Sequence, residues 1–225
     1  MAEQKRAPTF QSILLSLFIF VLLWAKLTDA WGYSSHLTVS SGKFIYACFS
    51  RLIWVAPAIW LILRHRASLC YGKGVLFSRP VWNRSLVSVL IGSLIFTFAA
   101  MLVTHRGFWL NPSVNYPSEI IKIILVGFVE ETVFRGWGYN ALAKVSTDRK
   151  AVVYSTVFFV LLHLPAYFVR LYRFGTMDYA AWLGQSLAAA VWGVLCCMLL
   201  KKGRTLWNPI IAHTVYDVLC VLLVG

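Results

Sequence analysis

Seven long apolar runs, separated by short polar breaks, dominate the 225-residue chain: Phe10–Ala25, Phe44–Leu63, Ser85–Val103, Glu119–Phe134, Val152–Val169, Ala180–Leu200 and Leu206–Val224. A helix crosses the hydrocarbon layer with about 20 apolar residues, in a range of about 17 to 25, and these runs fall around that length. They are unbroken rather than alternating, which favours spanning helices over the strands of a barrel. Turn-forming residues sit in the breaks: Gly72-Lys73-Gly74, Asn111-Pro112, Lys201-Lys202-Gly203-Arg204 and Asn208-Pro209. The expected fold class is all-α: a polytopic membrane bundle of about seven transmembrane helices, read as a single integral membrane domain over residues 1–225.

Composition supports that picture. Sixty per cent of the residues are hydrophobic and 13% are charged, with a mean hydropathy of +0.72. A soluble domain is nearer half apolar and a quarter charged. The net charge of +13 would suggest nucleic acid in a soluble protein, but no basic stripe lies on a polar helix face. The distribution fits membrane topology instead. With the N-terminus in the cytoplasm, the inner segments hold Lys5, Arg6, Arg64, Arg66, Lys73, Arg79, Arg84, Lys144, Arg149, Lys150, Lys201, Lys202 and Arg204, against Lys26, Lys43, Arg106, Arg170 and Arg173 outside. Thirteen against five sets the orientation by the positive-inside rule. Host membranes consistent with this are the plasma membrane of a prokaryote or the endoplasmic reticulum of a eukaryote.

The first run follows Lys5 and Arg6, as a signal peptide would. The only small-residue site after it, Thr28-Asp29-Ala30, carries an acid, so an uncleaved anchor is expected. The five cysteines form no CxxC pair, and four lie in apolar runs, so packed thiols are expected rather than a disulfide framework or a structural zinc site.

Ionisable groups inside a span cost about 2.5–3.5 kcal/mol on insertion scales and usually serve a function. Three of the eight acids (Glu130, Glu131, Asp217) and two of the five histidines (His163, His213) fall in the fourth, fifth and seventh runs. In the fourth, Glu131 precedes Arg135 by four residues, the favourable order for a pair on one helix face. Arg135 can hold that carboxylate with its planar fork. Glu130 is turned about 100° from Glu131 around the helix, so one acid has a structural partner and the other is left for general-base chemistry. In the fifth run Phe159 and His163 share a face, and Pro165 follows with the capacity to kink the helix. In the seventh, His213 and Asp217 stand four apart, as a carboxylate-oriented histidine would. Counted from the inner ends of these runs, Glu130 and His213 lie roughly 7–11 Å into the core, and His163 lies nearer the midplane.

These segments resemble the CAAX-protease and bacteriocin-processing family of intramembrane proteases, also called the Abi family. Glu130 through Arg135 matches its EExxxR motif, Phe159 through His163 its FxxxH, and His213 through Asp217 the HxxxD form of its third motif, in the family's order. The resemblance covers roughly the C-terminal half. It implies an all-helical fold with a conical cavity open to the membrane. It makes Glu130 the base that activates water, and Glu131 and Arg135 a supporting pair. It gives His163 and His213 the oxyanion or the water to position. The third motif often ends in Asn, a hydrogen-bond donor; Asp217 cannot donate when ionised, so it is expected to hold His213 in one tautomer instead.

Some accounts of the family place a metal at such histidines. Glu130, His163 and His213 are the candidate ligands for zinc or another divalent ion, since two His and a Glu can form a three-ligand site. No HExxH is present, and a ligated Glu130 would leave the base role to Glu131, which Arg135 already holds. The metal-free reading gives each residue one job and is preferred. The expected activity is endopeptidase cleavage of a membrane-associated or C-terminally anchored peptide or protein: a prenylated CAAX protein, a pheromone or bacteriocin precursor, or a sorting tail. Two other readings of the buried charges stand beside it: a transporter or proton relay, and a non-catalytic immunity or binding protein.

Overall fold

A computed structural model describes residues 7–34, 40–112, 114 and 116–224. Lys5 and Arg6, counted above among the inner cations, lie outside the described residues. All seven apolar runs are helical. In chain order the helices are α1 (Phe10–Ser34), α2 (Ser40–Arg64), the short α3 (Lys73–Leu76), α4 (Arg84–His105), α5 (Tyr116–Glu131), α6 (Asn140–Val145), α7 (Asp148–Phe174), α8 (Tyr179–Gly203) and α9 (Trp207–Leu223). Among the described residues five segments are long and apolar enough to cross a membrane: Phe10–Leu27, Gly42–Arg64, Arg84–His105, Asp148–Tyr172 and Tyr179–Gly203; α9, Trp207–Leu223, is apolar but shorter. The chain is an integral membrane protein with a polytopic helical bundle.

The fourth run departs from expectation. A π-helical stretch, Thr132–Tyr139, joins α5 to α6, so one helical path continues from Tyr116 to Val145, well beyond the expected end at Phe134. Glu130 therefore stands farther from the C-terminal end of its helical path than the sequence suggests. All eight π residues are buried, and the wider i→i+5 turn is a feature found preferentially at functional sites.

Local chemistry sets the other boundaries. Asn83, Thr147 and Asp178 cap α4, α7 and α8 by accepting a backbone N–H in the first turn. Gly175 ends α7 in the left-handed region at φ 66°. Gly203 was read as a break, but it is the last residue of α8, and Arg204 takes the left-handed position at φ 56°. Gly203 serves close approach instead: a Cβ there would stand 2.5 Å from Asn208 Nδ2. Asn208-Pro209 is likewise the first turn of α9, where proline is tolerated because those N–H groups have no helical partner. The buried Asn208 side chain brackets Val81, accepting from its N–H at 2.9 Å and donating to its carbonyl at 2.8 Å. Pro165 lies inside α7, which continues through it.

α2 and α9 pack on α5, α1 and α8 on α7, and α4 on α9. Trp54 of α2, Phe134 and Trp137 of the π stretch, and Phe20 of α1 fill the centre. Asp148 accepts from Tyr139 Oη and Lys201 Nζ, each at 2.7 Å, and so joins the π stretch, α7 and α8. The five cysteines are unpaired.

Small residues let α7 and α8 approach closely. A Cβ on Gly193 would lie 2.6 Å from Thr156 Cγ2. Gly193→Ala should therefore destabilise the bundle by about 1–3 kcal/mol, and Thr156→Ala should recover part of that loss in the double variant. Thermal unfolding in detergent checks both; additive losses would show that the two side chains do not meet.

Candidate active site

The π stretch and α5 place Glu130, Glu131 and Arg135 at the centre of the bundle. The Glu131 and Arg135 side chains are 0% exposed, and Arg135 Nη1 donates to Glu131 Oε1 at 3.0 Å. Arg135 also lies over the Phe159 ring, 4.2 Å from its centroid. The aromatic residue of FxxxH is thus the platform under the arginine of EExxxR. Two charges buried this deeply are tolerated only as a well-bonded pair.

Glu131 has a second partner. His213 Nδ1 donates to the same Oε1 at 2.8 Å. This corrects the expectation for Asp217, because Glu131 rather than Asp217 fixes the Nδ1 proton. Asp217 Oδ2 lies on the other side of the ring, 3.5 Å from Nε2, and Glu130 Oε2 lies 4.0 Å from that nitrogen. The imidazole is also walled in. Trp192 is near-parallel to it, with an interplanar angle of 13° and centroids 6.2 Å apart, and Phe159 meets it edge-on. His163 donates from Nδ1 to the Phe159 carbonyl at 2.8 Å, since a carbonyl can only accept. In the neutral ring its Nε2 is left with a lone pair.

Glu130, His163, His213 and Asp217 line one cavity of about 200 Å³, closed by residues that include Val126, Phe159, Gln185, Trp192 and Tyr216. His163 thus shares the cavity with Glu130 and His213 despite its apparent difference in depth. Glu130 is buried, and its Oε2 has no hydrogen-bond partner. At about 30 Å³ per water, the cavity holds a few waters or the atoms around one peptide bond. α8 supplies Gln185 and Trp192, which the motif pattern passed over. A lone amide in an apolar run was the only signal of this wall, and Trp192 reads as one more bulky apolar residue.

His213 has committed Nδ1 to Glu131, which leaves Nε2 toward the cavity, and among the described residues no three His, Cys, Asp or Glu side chains gather closely enough to hold one ion. Glu130, His163 and His213 border the same space without converging on a point.

Removing the arginine tests the supporting pair. Arg135→Ala leaves Glu131 buried with only His213 to answer its charge, and should cost about 3–5 kcal/mol. Denaturant unfolding in micelles measures the loss, and wild-type stability in that variant would dismiss the pair as a structural element.

No curated protein and no solved structure matches the chain. A family profile does: residues 112–219, just under half of the sequence, match the type II CAAX prenyl endopeptidase Rce1-like family. That segment contains Glu130, Glu131, Arg135, His163, His213 and Asp217. Over that segment the chain is similar to the Rce1-like family of CAAX prenyl endopeptidases.

Proposed function

We propose that the protein is an intramembrane endopeptidase that hydrolyses a peptide bond near the C-terminus of a membrane-associated, prenylated substrate, with Glu130 as the base. One observation carries this reading: of two adjacent buried glutamates, Glu131 is bonded to Arg135 and His213, while Glu130 faces the cavity unbonded.

Glu130 takes a proton from water as the water oxygen bonds to the scissile carbonyl carbon. The neutral His163 Nε2 accepts the water's other O–H and sets its direction. The carbonyl π electrons move to oxygen, and the imidazolium form of His213 donates from Nε2 to that oxyanion. Collapse of the tetrahedral intermediate breaks the C–N bond, and Glu130 returns its proton to the departing amine. Asp217 cannot serve as oxyanion donor while ionised; its place beside Nε2 favours the imidazolium's orientation.

Access fits a substrate held in the bilayer. An apolar groove of about 590 Å³ between α4 and α8 shares Ala188, Trp192 and Tyr216 with the polar cavity, so lipid-facing surface runs to the edge of the site. The positive-inside distribution supports a cytoplasmic N-terminus, which brings the inner ends of α6 to α9 to the side where a C-terminal tail would arrive.

Glu130→Gln keeps the shape and removes the base. It should lower kcat on a farnesylated CAAX peptide by about 10²–10⁴-fold while thermal stability stays near wild type. Cleavage of the same peptide should survive zinc chelation. Wild-type turnover by Glu130→Gln would reject the base, and chelator-sensitive activity restored by zinc would replace this mechanism with a metal-dependent one.

A further inference from the structure

Gln185 is a polar residue of the cavity that the proposed reaction does not use. It stands in the apolar span Tyr179–Gly203, six residues past the start of α8, about 9 Å along the helix. Ser186 beside it returns its hydroxyl to the Trp182 carbonyl at 2.8 Å. The Gln185 side chain is exposed between the exposed apolar Leu183 and Leu187, and among the described residues its amide has no hydrogen-bond partner. An amide left unpaired in apolar surroundings is unfavourable, and a polar group kept inside a span usually serves a function.

The register between α7 and α8 places this amide. The two helices are consecutive and pack together. Tyr167 Oη donates to the Ala181 carbonyl at 3.3 Å, and a Cβ on Gly193 would meet Thr156, so they run antiparallel. Counting four residues from the first contact, or seven from the second, sets His163 level with Gln185 or its neighbour Ser186. Gln185, Ala188, Ala189 and Trp192 line the cavity at the i, i+3, i+4, i+7 spacing of one helix face. Ala188 and Trp192 also line the apolar groove, as does Gly184, where an added Cβ would meet open space. Gln185 therefore stands where the groove passes into the cavity, level with His163, with small residues on both sides of it.

The charged and titratable groups of the cavity have their roles at the reacting atoms. Glu130 takes the proton, His163 directs the water and His213 meets the carbonyl oxygen, with Asp217 beside it. None of these answers the main chain on either side of the bond. A peptide drawn in extended form into a membrane-embedded cavity has given up its helical hydrogen bonds. With little water present, its N–H and C=O groups need partners in the protein. In an extended chain the N–H and C=O of one residue face the same side, and a carboxamide offers both an acceptor and donors to match them. Being neutral, it does so without disturbing the charge balance among Glu130, His213 and Asp217.

We propose that Gln185 pairs with the main chain of the substrate, accepting from the N–H and donating to the C=O of one residue that lies near the scissile bond and outside it. This pairing rests on the proposed function and adds a positioning residue from α8, a helix that carries none of the three motifs. It holds the chain in register at the mouth of the cavity while the bond to be cut lies at Glu130. Because the contact reads main chain rather than side chains, it tolerates any residue at that place except proline, which has no N–H.

The test replaces the N–H groups of a fluorescence-quenched farnesylated CAAX peptide one at a time by ester oxygens, sparing the scissile bond, and follows cleavage by the full chain in nanodiscs. At one position the ester should raise the KM of wild type about tenfold, the effect of one lost hydrogen bond, with kcat unchanged. Gln185→Met, an apolar side chain of similar length, should raise the KM of the all-amide peptide by a similar factor. It should also remove the sensitivity to that one ester while leaving the response to the others in place. A flat KM profile across the series in wild type overturns the pairing without recourse to any variant. So does a Gln185→Met protein that keeps the wild-type ester profile, as a merely structural role would leave it. A Gln185→Met loss confined to kcat and equal for every peptide overturns it too, and would make the amide a donor to the oxyanion. Equilibrium binding of the series to Glu130→Gln needs no turnover and must show the same position-specific loss. Equal binding of all the esters by an inactive Glu130→Gln would sink the role of Gln185 alone, whereas wild-type cleavage by Glu130→Gln with the ester profile intact would sink the base assignment and keep the pairing.

Discussion

The fully buried Arg135–Glu131–His213 chain of hydrogen bonds is the interaction on which the rest of the site depends. An arginine in the interior of a membrane bundle is tolerated only if its charge is answered, and Glu131 answers it. Because the same carboxylate oxygen also receives His213 Nδ1, one structural pair fixes the position and tautomer of an imidazole 82 residues away in sequence. α5, the π stretch and α9 are thereby locked in register. Breaking the pair would release both the fold and the histidine, so stability and chemistry draw on the same bonds here.

That arrangement explains how two adjacent glutamates come to differ. Their side chains leave the helix about 100° apart. One points inward at Arg135 and His213; the other points into the cavity, 4.0 Å from His213 Nε2. The bonded glutamate absorbs the buried arginine, so the other is left without a hydrogen bond and remains available to water. The π stretch begins directly after Glu131, and its wider turn leaves carbonyls to be answered locally: Ser155 Oγ donates to the carbonyl of Phe134 at 2.8 Å.

Much of this was legible in the sequence. Seven apolar runs gave seven helices, and three charged segments in three runs gave one cavity, because apolar length and the cost of buried charge act locally along the chain. What was missed depends on contacts between distant residues. The i,i+4 pair Glu131/Arg135 looks the same in an α- or a π-helical setting, so the continuation to Val145 was invisible. His213 and Asp217 looked like a pair because they are four apart, yet the ring turns its Nδ1 to Glu131. Gly203 and Asn208-Pro209 looked like breaks because glycine and proline usually punctuate; here Gly203 admits the side chain of Asn208, which ties α9 to the loop at Val81. The α8 wall carries no charge, so nothing in its composition marked it.

That uncharged wall has a chemical consequence. Trp192 and Phe159 confine His213 on two sides, and Phe159 also carries Arg135 on its ring. The aromatic residues therefore restrict both the side of the imidazole bonded to Glu131, at Nδ1, and the side that faces the cavity, at Nε2. In the proposed mechanism, a donor that cannot turn needs no reorganisation when charge develops on the carbonyl oxygen, and in a water-poor cavity such fixed dipoles act more strongly than they would in bulk solvent. The cavity is small, about 200 Å³, so it admits few waters. The polar residues supply the chemistry, and the apolar residues around them determine which atoms each polar group can reach.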